Sequence, residues 1–383
     1  MNRLFLLLLT LAAVACGSDS SSPDPNTPNA PDSDGSPDAI SQRTLVSGLD
    51  TPWDIQIATD GALWVTERRG VVSRVDTSTG ALERVATLSD VVEISESGLL
   101  GMALHPDFDT RPLVYLAYSY SGSGQIRNRL SHMRWDGTAL SSEEILLDDI
   151  PGANNHNGSR LAFGPDGQLY MTTGDALVTT LSQDTSSLAG KVLRVTEEGR
   201  PSTGNPFGNE IYSIGHRNAQ GLVFHPTSGD LYVTEHGPST NDEVSRIISG
   251  GNYGWPNVHG FCDNDVPGLN ETDFCAANNV IEPLAAWTPT VAPAGLDYYD
   301  GGMFPEWKGS LLFVALRGAT LLRLPLNRDG SAVTGQERLF EDTFGRMRDV
   351  LVGPRGEVYL AISNRDGRGR PASDDDRIIV LSR

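Results

Sequence analysis

Asp166-Gly-Gln-Leu-Tyr-Met-Thr-Thr173 opens with a turn and continues as an alternating apolar run, and the same phrase recurs five more times along the chain. Aspartate and glycine favour the turn, whereas β-branched and aromatic residues favour the strand that follows. Self-similarity at a spacing of about fifty residues is typical of repeat folds. The other copies are Asp60–Glu67, Pro112–Tyr118, Gly229–Glu235, Gly309–Ala315 and Gly356–Ile362.

A second, shorter phrase that ends in proline often precedes these runs. Examples are Ala103–Pro106, Ala162–Pro165, Val223–Pro226 and Leu351–Pro354. Two antiparallel strands joined by a Pro or Asp-Gly turn explain this order. Six copies predict an all-β fold, a six-bladed β-propeller with four-stranded antiparallel blades. A β-sandwich or a pair of barrels is the alternative, but neither has a reason to repeat one phrase six times. The long interval between the fourth and fifth copies predicts a rim or a lid.

The N-terminal segment is typical of an exported protein. A short positive region ending at Arg3 precedes the apolar run Leu4–Val14, which is too short to anchor the chain in a bilayer. We therefore predict a signal peptide over residues 1–15. Ala13-Val14-Ala15-Cys16 resembles a bacterial lipobox, in which cleavage precedes a cysteine that carries lipid, so we predict lipidation of Cys16. An ordinary cleaved signal that ends near Ala15 is the alternative.

The segment after Cys16 has almost no large apolar residue, so it cannot offset the entropy of folding. Residues 16–39 are accordingly predicted to be the lipobox cysteine and a disordered tether, and residues 40–383 the propeller domain. These features predict a protein at the periplasmic face or the cell surface that meets the membrane only through an N-terminal lipid anchor.

Charge and cysteine content narrow the function further. The 383-residue chain has a formal net charge of -20, which excludes nucleic acid and anionic lipid as favoured partners. Of its three cysteines, Cys16 belongs to the signal and Cys262 and Cys275 remain. In an oxidising compartment such a pair predicts a disulfide. A metal site built on Cys262 and Cys275 is disfavoured, because two thiols without a Cys-x-x-Cys motif are too few ligands.

Two polar clusters contain residues suited to acid–base and anion chemistry. The first, Asn154–Arg160, contains His156, a candidate general base near neutral pH. A structural loop histidine is the alternative. The second, Gly215–Gly221, contains Arg217, which could orient an anion through its guanidinium fork. A turn with surface polar groups is the alternative.

Two further clusters point to a metal and to an anion. Glu235–Glu243, followed by Gly251–Pro256 and Asp263, mixes carboxylates with turning backbone, as calcium requires. It is not an EF-hand, and acidic Gly/Asn loops are common without a metal. In Phe344–Asp349, alternation would place two arginines on one face of a strand, which favours a shared anionic partner over a solvated outer face.

Four motifs in a fixed order resemble the soluble aldose sugar dehydrogenases of bacteria that use pyrroloquinoline quinone. The likeness runs from Leu49 to Ile379. The specific motifs are His156-x-Gly-Ser-Arg-Leu161, Gly215-His-Arg-Asn-x-Gln-Gly221, Glu235-His-Gly-Pro238 with Asp242-Glu243, and Asn252-Tyr-Gly-Trp-Pro256. The resemblance implies an oxidoreductase that converts an aldose to its lactone and passes electrons to an acceptor other than oxygen, whose identity is unknown. Its cofactors would be pyrroloquinoline quinone and Ca²⁺.

The resemblance also implies roles for single residues. His156 matches the catalytic base, and Arg217 the arginine beside the quinone oxygens. The residues matched to cofactor contacts are Glu96, Arg217, Asn218, Arg317, Arg346 and Arg348. Gly237 and Pro238 match carbonyl ligands of the calcium that also holds the cofactor, with Asp242 matching the carboxylate beside it. The residues matched to a second, structural calcium are Glu243, Asp263 and the backbone carbonyls of Tyr253 and His259.

Three positions depart from the family pattern. Glu96 stands where glucose-oxidising members have glutamine, and Asn155, beside the base and expected to face substrate, replaces an acid. His236 replaces glutamine among the ligands of the first calcium. These departures leave open a non-enzymatic, calcium-stabilised propeller that binds a glycan or a protein. A calcium-dependent lactonase is a further alternative, but the sequence shows no central carboxylate cage.

Overall fold

The structure, a computed structural model, describes residues 40–383, so the predicted signal peptide, Cys16 and tether lie outside the described residues. Its strands form six four-stranded antiparallel sheets. In chain order the strands are β1 Ser41–Ser47, β2 Pro52–Ile57, β3 Leu63–Glu67, β4 Val71–Val75, β5 Leu82–Thr87, β6 Leu99–Leu104, β7 Leu113–Gly122, β8 Gln125–Trp135, β9 Leu140–Pro151, β10 Gly158–Phe163, β11 Leu169–Thr173, β12 Lys191–Val195, β13 Ile211–Ile214, β14 Ala219–Phe224, β15 Leu231–Glu235, β16 Asp242–Ile247, β17 Ala285–Trp287, β18 Pro293–Tyr299, β19 Ser310–Ala315, β20 Thr320–Pro325, β21 Glu337–Leu339, β22 Met347–Val352, β23 Val358–Ile362 and β24 Arg377–Ser382.

The six sheets are the blades of a closed ring. Five blades are consecutive strands, β2–β5, β6–β9, β10–β13, β14–β17 and β18–β21. The sixth has the order β1-β24-β23-β22, so the N-terminal strand completes the blade that the C-terminal strands begin. The first strands of successive blades pack against one another, and β22 packs against β2. This closure confirms the predicted six-bladed propeller.

The repeated phrase forms the second strand of each blade. Within it, a recurrent threonine ties the blade to the next one, because its hydroxyl donates to a backbone carbonyl of the neighbouring first strand. The pairs are Thr66 to Leu100 (2.7 Å), Thr172 to Ala219 (2.9 Å) and Thr234 to Ala294 (2.6 Å). The repeat therefore encodes contacts between blades as well as the strand itself.

Every first strand carries a register shift near its start. The shifts fall between Pro52 and Asp54, Leu99 and Met102, Gly158 and Leu161, Ala219 and Gly221, Pro293 and Leu296, and Met347 and Asp349. A bulge of this kind re-aims side chains and is common next to functional sites. Here it directs Trp53, Gln220 and Arg348 into the cavity at one end of the central channel.

The long interval between β16 and β17 holds the only α-helix within residues 40–383, α1, Glu271–Asn278. Short 3₁₀ turns occur at Thr179–Gln183 and Pro305–Trp307. A disulfide joins Cys275 of α1 to Cys262, as predicted. Trp255, from the same insertion, donates through Nε1 to Asp175 at 2.9 Å, so the insertion forms part of the rim. No helix in the described part of the chain is long and apolar enough to cross a membrane.

Candidate functional site

A cavity at one end of the channel brings together side chains from most of the ring. We call it the arginine cavity. Its polar and aromatic lining comprises Trp53, Glu96, Asn157, Gln220, His236, Arg346, Arg348 and Arg368. Three arginines on a protein of net charge -20 make this cavity a local island of positive charge.

Arg348 is the most deeply buried of these cations. It is 5% exposed, its Nη1 donates to Gln220 Oε1 at 2.9 Å, and its Nε is buried without a hydrogen-bond partner among the described residues. Burial lowers the pKa of Arg348 to about 9. Arg346 is held differently, because its Nε donates to Asp366 Oδ2 at 2.7 Å. The expectation that both arginines lie on one strand face was wrong in detail: β22 begins at Met347, and Arg346 reaches the cavity from the preceding loop.

Glu96 enters the same cavity as one member of an ion pair. Its Oε1 lies 2.6 Å from Nη1 of Arg368, a residue on the loop after β23. Burial opposes ionisation, but the charges of His236, Arg368 and Arg348 hold the pKa of Glu96 below its ordinary value. The pairing with Arg368 removes the repulsion that an isolated carboxylate would exert on an anionic ligand.

A second cavity adjoins the first, because His236 lines both. We call it the carbonyl cavity. Its lining includes Arg217, Glu235, His236, Gly237, Pro238, Glu243, Tyr253, Trp255 and His259. The His236 imidazole faces Pro293 O at 2.7 Å, and because a carbonyl only accepts, Nε2 is the donor. This side chain is therefore engaged by backbone and separates the two cavities.

His156 is oriented by a buried carboxylate. Its Nδ1 lies 2.8 Å from Oδ1 of Asp175, whose side chain is fully buried. Asp175 also accepts hydrogen bonds from Trp255 Nε1 and from the Leu177 amide, both at 2.9 Å. An ionised carboxylate is acceptor-only, so His156 donates through Nδ1 and leaves the Nε2 lone pair free. The pair therefore has the geometry of a general base.

The guanidinium of Arg217 meets the same wall. Its Cζ lies 5.2 Å from the centroid of the Trp255 ring, and its Nη1 donates to His236 O at 3.1 Å. Trp255 contacts Arg217 through its ring and Asp175 through Nε1, so His156 and Arg217 lie on the same side of the molecule. Burial lowers the pKa of Arg217, and its Nε is buried without a partner among residues 40–383.

Glu235, at the end of the fourth repeat, fixes the loop that carries Arg217 and Asn218. Its Oε1 accepts from the backbone amides of both residues, and its Oε2 lies 2.9 Å from Nδ1 of His216. The Asn218 Oδ1 accepts from the Gly158 amide at 3.1 Å, whereas its Nδ2 is buried and finds no acceptor in the described chain. The loop is thus held rigidly while two of its side-chain donors stay unsatisfied.

The residues predicted to bind calcium divide into two groups. Gly237, Pro238, Glu243, Tyr253 and His259 line the carbonyl cavity. Burial, together with the nearby charge of Glu235, raises the pKa of Glu243 well above its ordinary value. A cation in the cavity would stabilise the ionised form of that carboxylate.

Asp242 instead organises backbone. Its Oδ1 accepts from the Gly237 amide at 2.8 Å, and its Oδ2 accepts from the Thr290 hydroxyl and the amides of Val291 and Ala292. Its Oδ1 is therefore engaged by the loop that carries the cavity carbonyls, and its Oδ2 by the segment that leads into β18.

Asp263 belongs to the second group, outside the carbonyl cavity. Carboxylate oxygens of Asp263, Asp265 and Glu271 lie within 4.8 Å of one another. Glu271 is fully buried, and its Oε2 has no hydrogen-bond partner among the described residues, while its Oε1 accepts from the His259 amide at 2.9 Å. Hard oxygen donors with one buried, unsatisfied carboxylate oxygen are the ligands that calcium prefers.

Two predicted site residues lie elsewhere. Arg317 is exposed and lines neither cavity, and its backbone amide donates to Val291 O at 3.1 Å. Asn155 sits at the rim, where its Oδ1 accepts from the Ser95 hydroxyl at 2.7 Å. The substrate role predicted for Asn155 stays a prediction.

Sequence reasoning gave no role to Asp175, Arg368 and Glu271, and it placed Glu235 in a calcium-binding stretch and not as the anchor of the loop that carries Arg217. A signal was present for two of them. Glu235 closes the fourth repeat, and Asp175 follows the third repeat by two residues, where strand ends meet the rim. No local pattern pointed to Arg368, because its partner Glu96 is 272 residues away.

Comparisons with known proteins agree with this geometry. Residues 49–374 match the family model described as Glucose / Sorbosone dehydrogenase. Quinoprotein glucose dehydrogenase B of Acinetobacter calcoaceticus is 27% identical, over 88% of this chain and 87% of that protein. Aldose sugar dehydrogenase YliI of Escherichia coli (strain K12) is 29% identical, over 86% and 92%. The solved PQQ-bound form of an aldose sugar dehydrogenase from Streptomyces coelicolor is 36% identical, covers 90% and 99% of the two chains, and superposes with a TM-score of 0.78.

Proposed function

Because the chain belongs to the Glucose / Sorbosone dehydrogenase family, we propose that it is a sugar dehydrogenase that uses pyrroloquinoline quinone and Ca²⁺ to oxidise an aldose at C1 to its lactone. His156 is the general base in this proposal, and Arg217 orients the quinone. The single observation that carries it is a set of buried, unsatisfied donors around the adjoining cavities.

Those donors are Arg217 Nε, Asn218 Nδ2 and Arg348 Nε, each buried without a partner among residues 40–383. A buried donor without an acceptor costs about 1–3 kcal/mol, so their clustering favours a ligand rich in acceptor atoms. A planar tricarboxylate with quinone oxygens has that chemistry. Arg346 would add a further cation at the cavity wall. Arg368 lines the same cavity, and it also neutralises the Glu96 carboxylate.

When bound, the quinone supplies the carbon that accepts hydride from the sugar. His156 Nε2 takes the proton of the anomeric hydroxyl, so that loss of hydride from C1 leaves the C1 carbonyl of a lactone. Asp175 keeps the proton on Nδ1 and stabilises the imidazolium that forms. Arg217 places a buried positive charge on the same wall.

We assign calcium to two places. The carbonyls of Gly237 and Pro238, with Glu243 and Tyr253, would hold one ion in the carbonyl cavity, where its charge would reach the quinone as a Lewis acid. Asp263, Asp265 and Glu271 would hold a second, which would stabilise the insertion. Asp242 positions the first set through the Gly237 amide.

Export and lipid anchoring through Cys16 complete the proposal. They rest on the charged, apolar and lipobox segments at the start of the sequence. Mass spectrometry of the protein purified from its membrane fraction tests them, because a lipidated Cys16 would be the first residue of the mature chain.

Dye-linked oxidation tests the function. Apo-protein is supplied with calcium and the quinone, and a panel of neutral aldoses is offered with an artificial electron acceptor. We expect lactone formation, and a loss of kcat of about 10²–10⁴-fold in His156→Ala with quinone binding retained. His225→Ala, in the turn between β14 and β15, is the matched control and should keep wild-type kcat. Absence of turnover with every aldose, together with sugar binding that His156→Ala leaves unchanged, would instead establish a non-enzymatic binding protein.

A further inference from the structure

A buried ionic cluster lies on the propeller axis, directly beneath the arginine cavity. Arg160 Nη1 lies 2.9 Å from Asp54 Oδ2 and 3.0 Å from Asp349 Oδ2, and all three residues are at most 4% exposed. We call these residues the axial cluster. Two acids share one guanidinium nitrogen, so the cluster carries an excess negative charge whenever both acids are ionised.

All six blades contribute to this arrangement. Asp54, Arg160 and Asp349 come from the first strands of the first, third and sixth blades. In the second blade, the Met102 amide donates to Asp54 Oδ2 at 3.0 Å. In the fourth blade, Gln220 O accepts from Arg160 Nε at 2.9 Å. In the fifth blade, a Cβ on Gly295 would lie 1.8 Å from Asp349 Oδ1, so this position has room only for glycine. The chain is thus built to hold both carboxylates here.

The axial cluster is adjacent to the proposed cofactor site through the bulges of β2 and β22. Trp53 precedes Asp54, and Arg348 precedes Asp349; in each pair the first residue lines the arginine cavity and the second joins the cluster. The Trp53 ring centroid lies 4.3 Å from Arg160 Cζ and 5.8 Å from Arg348 Cζ. Charge in the cavity and charge in the cluster are therefore separated by a single aromatic layer.

On its other side the cluster faces a larger cavity, of 1140 Å³, formed by the C-terminal halves of the first strands. We call it the lower cavity; Arg160, Asp297 and Asp349 are among its lining residues. Burial and the neighbouring Asp54 charge raise the pKa of Asp349 above its ordinary value, against the opposing effect of Arg160. The pKa of Asp54 is raised as well, chiefly by burial.

We propose that the axial cluster binds one exchangeable proton, and that entry of a polyanion into the arginine cavity increases the occupancy of that proton. The proton comes from solvent through the lower cavity and forms an O–H bond on one carboxylate of the pair. A polyanion raises the proton affinity of nearby acids. By linkage, that ligand then binds more tightly when the cluster is protonated. The identity of the polyanion as pyrroloquinoline quinone rests on the proposed function.

Other charged groups face the same region and set the controls. Arg160 lies on β10, Arg348 on β22 and Asp297 on β18, whereas β6 and β14 present backbone groups to the cluster. His236, which lines the arginine cavity, and His156, beside Glu96, are further titratable side chains near this region. The test therefore compares variants rather than the wild type alone.

The experiment measures proton uptake when the quinone binds to apo-protein with calcium present, by titration calorimetry in buffers of different ionisation enthalpy from about pH 6 to about pH 9. We expect the wild type to take up more protons than Asp349→Asn or Asp54→Asn, each of which removes one acid of the pair. The wild-type Kd should rise with pH more steeply than that of either variant, by up to about tenfold per pH unit. Asp297→Asn, an acid of the lower cavity that accepts from the Tyr298 and Val352 amides, is the matched control and should follow the wild type.

Equal proton uptake in the wild type and in both cluster variants would overturn the coupling. If the quinone does not bind at all, the proposed function fails, and infrared spectroscopy of the Glu243→Gln apo-protein, which lacks the other buried acid whose pKa is raised well above its ordinary value, tests the proton by itself. A carboxylic acid C=O band that persists at neutral pH and disappears on further alkalinisation supports the proton site, and absence of that band at neutral pH refutes it. This second measurement needs no substitution in the axial cluster, so it decides the question even if both cluster substitutions prevent folding.

Discussion

Replacement of Asp175 by asparagine tests the proposed base in atomic detail. Asp175 offers acceptors on both oxygens: Oδ1 faces His156 Nδ1 at 2.8 Å and the Leu177 amide at 2.9 Å, and Oδ2 faces Trp255 Nε1 at 2.9 Å. Asparagine has one acceptor oxygen and one NH₂ group. In one amide orientation the NH₂ meets the Trp255 N–H, and in the other it meets His156 and the Leu177 N–H.

Each orientation has a definite cost. The first leaves two buried donors in opposition, at about 1–3 kcal/mol of stability. The second makes Nδ1 of His156 an acceptor, which moves its proton to Nε2 and removes the lone pair that takes the sugar proton. Both orientations also remove the carboxylate charge that stabilises the imidazolium, so we expect kcat of Asp175→Asn to fall by about 10²–10⁴-fold, the contribution of general base catalysis. Quinone affinity should stay within about threefold, since Asp175 does not line the arginine cavity.

The assay is dye-linked aldose oxidation at saturating quinone and calcium, with kcat measured as a function of pH. The exposed Asp184→Asn, whose amide oxygen can still accept from the Ser186 amide and hydroxyl, is the matched control and should keep wild-type kcat. A kcat in Asp175→Asn within about threefold of the wild type would refute the assignment of the tautomer to this carboxylate.

Three further outcomes follow from buried carboxylates and the insertion. Burial raises the pKa of Asp297 to about 6, so the native state binds this proton more tightly than the unfolded chain does. The contribution of this group to the free energy of unfolding of the apo-protein should therefore fall by at most about 3 kcal/mol as pH rises from about 4 to about 6. Urea titrations should show a flatter dependence on pH in Asp297→Asn. Calcium should raise the Tm of the wild type, and Glu271→Gln should lose part of that rise, whereas an unchanged calcium response would contradict the site in the insertion. Cys275→Ser removes the disulfide with Cys262, so it should increase proteolytic cleavage between β16 and β17 and lower the free energy of unfolding by up to about 3 kcal/mol. Equal cleavage of the variant and the wild type would show that the disulfide is dispensable for order in the insertion.

The fold was predictable because its signal is local and repeated. Each copy of the phrase contains the turn, the strand and, in several copies, the threonine that bonds the next blade, so one segment such as Asp166–Thr173 specifies a unit of the ring. The closure of the ring by β1 was not predictable in the same way. It depends on pairing between Ser41–Ser47 and Arg377–Ser382, at opposite ends of the chain.

The site was predictable only in part. Motifs identified the loops that carry His156 and Arg217, and the structure brings them to one wall. The side chains of Trp53 and Gln220 point into the cavity because of bulges, and the alternation of apolar residues does not reveal those bulges. The position of Arg317 outside both cavities was not predictable for another reason: a match between motifs fixes a residue's place along the chain and not the direction of its side chain.

Titration of the apo-protein with pyrroloquinoline quinone in the presence of calcium tests the central claim most directly. We expect a saturable change in the quinone absorbance at one equivalent, and a Kd about 10–100-fold weaker in Arg348→Met, which removes a buried charged donor. The exposed Arg328→Met should bind like the wild type. No saturable change in the wild type, or the same Kd in Arg348→Met and Arg328→Met, would contradict the claim that the unsatisfied donors of the arginine cavity hold a quinone.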